Sequence, residues 1–483
     1  METGTIRLNK LDDCRWEIPV GSRPGMRVPG LIFSNERMIE DLLRDKALEQ
    51  VANVATLLGI VKASMAMPDI HWGYGFPVGG VAATDPEQGG VVSPGGVGFD
   101  VNCGVRLVRT SLTEQEVRPV LQKLVAQLFR DIPAGVGQEG EIRFTEKQER
   151  QILERGASWI VKQGYGVPQD LEHTEAGGRL EGADPDKVSE RAYERGKGQV
   201  GTLGSGNHFL EVQAVDEVYD EQAAQALGVR EGQVLVMIHS GSRGLGYQVC
   251  DDYLEGTLKA AAKYGIHLVD RQLACAPVNS PEGQDYLAAM RCAANYAWAN
   301  RQMLMHRTRE VFERVFGKSW QGLGMSIVYD VAHNIAKMER YRVDGKEKLL
   351  CVHRKGATRA FPKGHPELSE EYRHLGQPVI IPGDMGRNSY LLIGIAAEGS
   401  FGSTCHGAGR VMSRTASVKA ARGRSIRREL EEKGIIAMGR GRNALEEEQP
   451  SAYKDVNEVV EVVHQAGLSR RVCRMKPMGV IKG

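Results

Sequence analysis

Residues 234–246 read VLVMIHSGSRGLG, and they show the arrangement from which this chain builds its fold. The apolar run from Val234 to Ile238 predicts a short buried β-strand. His239 ends that strand, and a glycine-rich loop follows over residues 240–246. Glycines let a loop approach a ligand closely and expose backbone N–H donors. The stretch therefore predicts a strand that delivers a histidine to a ligand-binding loop.

The same arrangement recurs, with a histidine, aspartate or cysteine beside each glycine-rich loop. The recurrences are MPDIHWGYGFPVGG (67–80), SPGGVGFDVNCG (93–104), GTLGSGNHFLEV (201–212), SIVYDVAHN (326–334), LLCVHRKGATR (349–359), VIIPGDMG (379–386) and GSTCHGAGR (402–410). Strands and helices intermingle without the regular alternation of a doubly wound sheet. We therefore predict an α+β fold with a central β-sheet core flanked by helices, whose strand ends converge on one cleft.

The loops that would form this cleft are spread from residue 69 to residue 482. A site assembled from the whole chain argues against independent domains, so we predict a single catalytic domain over residues 1–483. Within it, residues 134–200 are polar and weakly periodic, with helices predicted near 145–163 and 186–196. We predict this segment as a candidate mobile insert. Long helices are predicted over 113–130, 283–316 and 455–466.

Composition excludes several classes of protein. The 483 residues carry a net charge of +1, from 62 basic and 61 acidic side chains, so any nucleic-acid site must be a local patch. The eight cysteines form no CxxC pair and no disulfide framework. The first residues lack a signal-peptide pattern, and no apolar run is long enough to span a membrane. These features predict a reduced, cytoplasmic protein.

Five residues in the recurring loops have side chains suited to divalent metals. They are Asp100, Cys103, His208, His239 and His333. One zinc ion would use four ligands, whereas five ligands with a bridging thiolate would suit two ions. Mixed oxygen, nitrogen and sulfur donors fit Mn²⁺, Zn²⁺ or Co²⁺, and paired ions are common in phosphoryl transfer. The alternative is that each histidine merely ends a strand and that Cys103 is a buried apolar residue.

Residues 402–410 predict a phosphate site. His406 lies among glycines, Arg410 offers a planar guanidinium, and a helix is predicted to begin near residue 413. A histidine above a phosphate acts either as a general acid or base, or as a nucleophile that forms a phosphoramidate. The chain has no Walker A motif and no dinucleotide-binding GxGxxG in a βαβ unit, so a nucleotide would be bound in another way.

Taken together, MPDIHWGYGFPVGG, SPGGVGFDVNCG, GTLGSGNHFLEV, HSGSRGLG, YDVAHN, VHRKGATRAF, STCHGAGRVMSR and the closing GVIKG resemble the RtcB family of RNA ligases. The resemblance runs from about residue 65 to the C-terminus and implies an RtcB-like fold. It also implies a ligase that uses GTP and two Mn²⁺ ions to join RNA 2′,3′-cyclic phosphate or 3′-phosphate ends to 5′-hydroxyl ends. Such ends arise in tRNA splicing and RNA repair.

The resemblance also implies roles for individual residues. His406 matches the histidine that becomes guanylylated, and Cys103 matches the bridging ligand of the two-manganese centre formed with Asp100, His208, His239 and His333. The nucleotide-binding set implied by the resemblance is Asn207, Phe209, Glu211, His333, Asn334, Pro382, Gly383, Asp384, Met385, Ser389, His406, Gly407, Ala408, Gly409, Tyr453 and Lys482. The RNA-binding candidates are Arg243, His353, Arg354, Lys355, Arg410 and Arg414.

One position departs from the family pattern. Asp384 stands where a small hydroxyl residue is expected in many members, so it either contacts the N1/N2 edge of guanine or faces away from it.

The alternative function is a metal-dependent phosphoesterase acting on RNA ends, because the metal ligands alone fit both enzymes. A non-catalytic protein that binds RNA ends is a third reading, and the near-zero net charge argues against it. The predicted partners are RNA ends (tRNA halves or broken RNA), GTP and an archease-type activator, without a membrane. Either a monomer or a homodimer is compatible with the sequence.

Overall fold

The computed structural model describes residues 2–3, 6–395, 399–441 and 443–483. Its strands, in chain order, are β1 (Glu2–Thr3), β2 (Ile6–Arg7), β3 (Asn9–Lys10), β4 (Arg15–Ile18), β5 (Gly30–Phe33), β6 (Ser64–His71), β7 (Val78–Thr84), β8 (Val91–Val92), β9 (Gly104–Thr113), β10 (Phe209–Val218), β11 (Gln233–Ser240), β12 (Ala276–Pro277), β13 (Ser326–Ala332), β14 (Asn334–Val343), β15 (Lys346–Lys355), β16 (Ala357–Arg359), β17 (Pro378–Ile381), β18 (Ser389–Gly394), β19 (Ser403–Cys405), β20 (Ile436–Gly439) and β21 (Ser469–Lys482).

The α-helices are α1 (Glu36–Leu42), α2 (Ala47–Val54), α3 (Pro94–Val97), α4 (Glu114–Val117), α5 (Leu121–Asp131), α6 (Glu146–Lys162), α7 (Pro168–Glu172), α8 (Glu190–Gly196), α9 (Glu221–Ala226), α10 (Arg243–Lys263), α11 (Pro281–Phe316), α12 (Glu370–Arg373), α13 (Arg414–Ala420), α14 (Ile426–Glu431), α15 (Ala444–Glu447) and α16 (Val456–Gln465). Short 3₁₀ helices cover Pro86–Gln88, Arg118–Val120, Glu175–Gly178, Pro185–Lys187, Arg271–Leu273 and Pro450–Ala452. Within the described ranges, no helix combines the length and apolarity needed to cross a membrane.

Two large sheets form the centre of the fold. The first has the order β13-β9-β11-β10-β21-β18-β17, with β20 also paired to β21. The second has the order β14-β15-β7-β6-β5-β4-β3. Most pairs are antiparallel, and β5–β6 and β20–β21 are parallel. Helices pack against sheets in several buried apolar clusters, so the predicted α+β class is confirmed.

The long helix α11 is bounded by clear sequence signals. Ser280 caps its first turn by accepting the Gly283 N–H, and Gly317 ends it in the left-handed region at φ 65°. Helix α6 packs along it through buried apolar side chains such as Ile152 and Ile160. Since α6 lies inside residues 134–200, part of that segment is packed on the core. Its mobility, and the assignment of residues 1–483 to one domain, stay predictions.

One predicted loop was wrong in part, and the glycine-rich segment of residues 67–80 begins inside strand β6, which runs to His71 and passes through Pro68. The register of the β6–β7 pair shifts between Ala66 and His71, so the missing N–H of Pro68 interrupts no ladder there. The loop expected over 240–246 ends early, because helix α10 already begins at Arg243. Position 246 of this helix has room for a glycine only, because a Cβ there would collide with the Ser242 side chain.

A buried ion cluster ties the neighbouring strands β9 and β13 of the first sheet to α11. Asp330 on β13 accepts hydrogen bonds from Arg106 on β9, at 2.8 Å, and from Arg301 on α11, at 2.8 Å. All three side chains are fully buried. Arg301 also donates to the backbone oxygens of Asn102 and Ser240. The cluster therefore holds two loops that lead into the site described below.

Replacing Asp330 by asparagine is expected to lower the free energy of unfolding by about 3–5 kcal/mol, because it leaves two buried guanidinium groups without a counter-charge. The midpoint of urea-induced unfolding measures the effect. Asp344→Asn, in an exposed turn, is the matched control and should leave the midpoint unchanged. An Asp330→Asn midpoint equal to that of the wild type would contradict the role given to the cluster.

The contribution of Asp330 to the free energy of unfolding changes with pH in a defined direction. Burial alone would raise the pKa of Asp330, but the charges of Arg301 and Arg106 outweigh it and hold the pKa below its usual value. A carboxyl group of this kind stabilises the fold above its unfolded pKa, near ~4, and loses that contribution at lower pH. We therefore expect the difference between wild type and Asp330→Asn to be constant at neutral pH and to shrink only under acid conditions.

Candidate metal and nucleotide site

Neighbouring strands of the first sheet bring the predicted metal ligands together. His239 near the end of β11 is the register partner of Phe209 on β10 and of Val105 on β9. His208 directly precedes β10, and Cys103 directly precedes β9. The backbone N–H of His333, which follows β13, donates to the Cys103 carbonyl at 2.9 Å. Adjacent strand ends therefore place four of the five predicted ligands at one edge of the sheet.

The five side chains form two overlapping groups that could each hold a metal ion. The first contains Cys103, His239 and His333, and the second contains Asp100, Cys103 and His208. Cys103 Sγ lies 3.2 Å from His239 Nε2 and 3.3 Å from His208 Nε2. His239 Nε2 lies 3.3 Å from His333 Nε2, and Asp100 Oδ2 lies 2.8 Å from His208 Nε2. Cys103 is common to both groups.

The protonation of these groups fits metal binding. Burial lowers the pKa of His239 and His333 well below the usual value, and neighbouring histidines lower it further, so both rings are neutral donors. Burial and the Asp100 carboxylate raise the pKa of the Cys103 thiol well above its usual value. A metal would therefore displace the thiol proton on binding. The oxygen, nitrogen and sulfur donors suit Mn²⁺, Zn²⁺ or Co²⁺.

His406 lies beside this group of ligands. Its ring centroid is 5.0 Å from that of His333. The Asp69 carboxylate, which is fully buried, lies against Nδ1 of the His406 ring. Asp69 also accepts the backbone N–H of His406 at 2.9 Å and that of Gly407 at 3.2 Å. One carboxylate therefore holds the backbone of residues 406–407 and contacts Nδ1 of the ring, which leaves Nε2 as the nitrogen available for chemistry.

Asp69 is a functional residue that sequence reasoning missed. It lies on β6, in the glycine-rich segment of residues 67–80. Burial would raise the pKa of Asp69, but the charge of His406 and the hydrogen bonds from it lower the pKa below its usual value. The carboxylate is therefore ionised where it meets the ring. The sequence signal was an aspartate next to a proline in a glycine-rich motif, which does not reveal a partner 337 residues away.

A cavity of about 280 Å³ adjoins the metal ligands and His406. All sixteen residues of the predicted nucleotide-binding set line it, together with Asp100, Cys103, His239, Arg410 and Arg414. Gly409 leaves no room for a side chain, because a Cβ there would lie 2.3 Å from the Asp69 carbonyl oxygen. Gly409 thus lets the chain pass close to β6, and residues 407–409 form one wall of the cavity.

Two carboxyl groups meet inside this cavity. Burial, together with the nearby Asp384, raises the pKa of Glu211 to about 8. Burial raises the pKa of Asp384 to about 6. Asp384 Oδ1 accepts the Gly386 N–H at 2.9 Å, and Oδ2 lies 3.5 Å from Arg387 Nε. Asp384 lines the cavity, and its contact with the edge of guanine stays a prediction.

A second residue missed from the sequence, Glu448, also lines the cavity. Glu448 is buried and accepts hydrogen bonds from Arg410, at 2.9 Å, and from the Tyr453 hydroxyl. Lys482 Nζ lies 3.7 Å from it. Burial would raise the pKa of Glu448, but Lys482 and Arg410 lower it below its usual value. Glu448 thus orients cavity-lining residues from α13 to β21, although its acidic sequence context looks like a solvated surface.

The predicted RNA-binding residues divide into two groups. Arg243, Arg410 and Arg414 are at or near the cavity, and Arg243 Nη1 is 3.0 Å from His208 Nδ1. By contrast, His353 and Arg354 are fully buried, and Arg354 forms paired hydrogen bonds with Glu339 on the neighbouring strand. Lys355 lines the cavity, but its ammonium donates to three backbone oxygens, those of Tyr74, Phe76 and Gly95. His353 and Arg354 thus hold the second sheet together, away from the cavity.

Comparisons with known proteins agree with this architecture. The family model described as tRNA-splicing ligase RtcB matches residues 50–483. The tRNA-splicing ligase RtcB of Archaeoglobus fulgidus is 56% identical over 478 residues, which are 99% of this chain and 99% of that protein. That of Thermococcus kodakarensis is 55% identical over 482 residues, with 99% of each chain covered. The RNA-splicing ligase RtcB of Mycobacterium tuberculosis is 54% identical over 436 residues, 90% of this chain and 100% of that protein.

Proposed function

Because the chain belongs to the RtcB family, we propose that it is a GTP- and Mn²⁺-dependent RNA ligase. It joins RNA 2′,3′-cyclic phosphate or 3′-phosphate ends to 5′-hydroxyl ends, in tRNA splicing and RNA repair. The observation that carries the proposal is the position of His406, between the Asp69 carboxylate and the candidate metal-ligand group, on the wall of the cavity. A phosphoesterase needs no covalent guanylate on a histidine.

In this proposal, Asp100, Cys103, His208, His239 and His333 hold two Mn²⁺ ions, which would withdraw charge from phosphoryl oxygens. The cavity holds GTP, with Phe209, Tyr453 and Lys482 around the guanine. Lys482 Nζ is 5.6 Å from the centroid of the Phe209 ring, which supports a flat, polar-edged base site. Arg410 and Arg414 supply positive charge for the phosphates.

The chemistry of His406 follows from its contact with Asp69. The carboxylate keeps the proton on Nδ1, so Nε2 presents its lone pair to the α-phosphorus of GTP. The new N–P bond replaces the bond to the β-phosphate oxygen, and pyrophosphate leaves. The RNA 3′-phosphate, formed by hydrolysis where the end is cyclic, then takes GMP from His406. The 5′-hydroxyl attacks the activated 3′ end, forms the phosphodiester and releases GMP.

Asp69→Asn is expected to slow guanylylation of His406 by roughly 10²–10⁴-fold, because an amide can hold the ring in the wrong tautomer. The rate of label transfer from α-labelled GTP to the protein measures this. Asp344→Asn serves as the matched control, and equal Mn²⁺ binding by both variants would separate positioning from misfolding. A wild-type rate in Asp69→Asn would contradict the proposed role of the carboxylate.

Asp384→Asn is expected to weaken discrimination of GTP against ATP by roughly 10–100-fold, since guanine presents N–H donors to the carboxylate where adenine presents an acceptor. The ratio of protein labelling from α-labelled GTP and ATP measures the effect. If Asp384→Asn and wild type show the same ratio, the carboxylate does not contact the base.

The proposal as a whole is tested with two RNA oligonucleotides, one carrying a labelled 2′,3′-cyclic phosphate and the other a 5′-hydroxyl. With GTP and Mn²⁺, we expect one joined product that keeps the labelled phosphorus at the junction. Release of the label as inorganic phosphate without joining would instead favour the phosphoesterase. The need for an archease-type activator, a monomeric or homodimeric state and the cytoplasmic location stay predictions.

A further inference from the structure

A row of planar side chains leads from the catalytic cavity to the surface. Tyr74 contacts Phe99 edge-on, with ring centroids 5.4 Å apart. Phe99 stacks on Tyr247 at 4.8 Å, with 23° between the ring planes. The guanidinium carbon of Arg195 lies over the Tyr247 ring, 4.7 Å from its centroid. We call these four residues the aromatic row.

The inner end of the aromatic row belongs to the catalytic site. Phe99 lines the cavity and directly precedes Asp100, a candidate metal ligand. Tyr247 is on helix α10, one turn after Arg243, whose guanidinium contacts His208. An RNA strand that reached the candidate metal site past Phe99 would therefore pass along the aromatic row.

The outer end of the aromatic row is open to solvent. Tyr247 is 42% exposed, and Arg195 is exposed as well. The Arg195 guanidinium is nevertheless held in place, because its Nη1 donates to Gln248 Oε1 at 2.9 Å. An exposed but oriented guanidinium plane is a surface on which a nucleobase can stack.

The aromatic row does not contribute to the apolar core. None of its three rings belongs to the buried apolar clusters found among the described residues. Stacked rings at a surface that also carries an arginine are typical of proteins that bind single-stranded nucleic acid, since every base offers a flat face. The occupant that fits this chemistry next to a metal site for phosphate ends is RNA.

We propose that the aromatic row stacks unpaired nucleobases next to the RNA end that is being joined. This inference rests on the proposed ligase function and adds to it a base-binding surface outside the cavity. Because stacking reads no hydrogen-bonding pattern, the row would bind unpaired ends of any sequence and would disfavour ends whose bases remain in a duplex.

The test uses two pairs of oligoribonucleotides, one pair with a 5′-hydroxyl end and the other with a 3′-phosphate end. Within each pair, one oligonucleotide has normal residues at the two terminal positions and the other has abasic residues there. Fluorescence anisotropy at one fixed salt concentration gives Kd for each. We expect wild type to bind the abasic form of one pair about tenfold more weakly. The oligonucleotide pair that shows this loss of affinity identifies which RNA end, the 5′-hydroxyl or the 3′-phosphate, lies on the aromatic row. Equal Kd values for normal and abasic forms in both pairs would overturn the proposal without the use of any variant.

Two variants assign the effect to the row. Tyr247→Leu removes the ring, and Arg195→Lys keeps the charge but removes the plane, so both should bring the ratio of abasic to normal Kd close to one. Tyr264→Leu is the matched control, because Tyr264 is a similarly exposed tyrosine beside a lysine at the far end of α10. A wild-type ratio in both row variants would overturn the assignment. Guanylylation of wild type without RNA reports separately on the proposed function.

Discussion

His406→Ala is expected to abolish both labelling of the protein by α-labelled GTP and RNA joining, with a loss of at least about 10³-fold. In the proposed pathway His406 carries GMP from GTP to the RNA end, and it lies on the cavity wall with Nδ1 against the Asp69 carboxylate. Joining of cyclic-phosphate and 5′-hydroxyl ends, followed by denaturing electrophoresis, measures the loss.

The controls for this prediction separate chemistry from folding. His406→Ala should still bind Mn²⁺, because His406 belongs to neither candidate metal group. His267→Ala, at an exposed histidine, should join RNA at the wild-type rate. If His406→Ala retained full ligation, the nucleophile would have to be another residue and the proposed pathway would be wrong.

Cys103→Ala is expected to weaken Mn²⁺ binding by at least about 100-fold and to remove all ligation. Cys103 is the side chain shared by the two candidate metal groups, so its loss affects both at once. Its sulfur lies within 3.3 Å of the Nε2 atoms of two candidate ligands, His208 and His239. Titration with Mn²⁺, followed by electron paramagnetic resonance of the free ion, measures the number of ions bound and their affinity.

Cys473→Ala is the matched control for Cys103→Ala. Cys473 is equally buried but belongs to an apolar cluster of the first sheet. Its replacement should lower stability through a small cavity and leave Mn²⁺ binding unchanged. If Cys103→Ala bound two Mn²⁺ ions with wild-type affinity, the candidate groups would not be the metal site.

The candidate metal ligands could be predicted because most of them follow a local rule. Cys103, His208, His239 and His333 lie at or beside strand ends, and antiparallel neighbours in one sheet bring such ends together. The residues that line the cavity were predicted from the family resemblance, and many of them lie in the same glycine-rich segments. Short motifs in the sequence were therefore enough to identify them.

The residues that were missed depend on distant partners. Asp69 acquires its role only when β6 passes beside residues 406–407. Arg354 looked like part of a basic patch, and only its pairing with Glu339 across β14–β15 shows that it is structural. Glu448 is recognisable only from the cations that surround it. Long-range charge pairing of this kind has no periodic signature in the sequence.

The most direct test of the account is the mass of the protein after incubation with GTP and Mn²⁺, without RNA. Intact mass spectrometry should show an increase equal to one GMP group, and peptide mapping should assign it to His406. The group should be lost again when RNA with a 3′-phosphate is added. No increase in mass under conditions where the same preparation joins RNA would contradict the account, as would GMP attached to any residue other than His406.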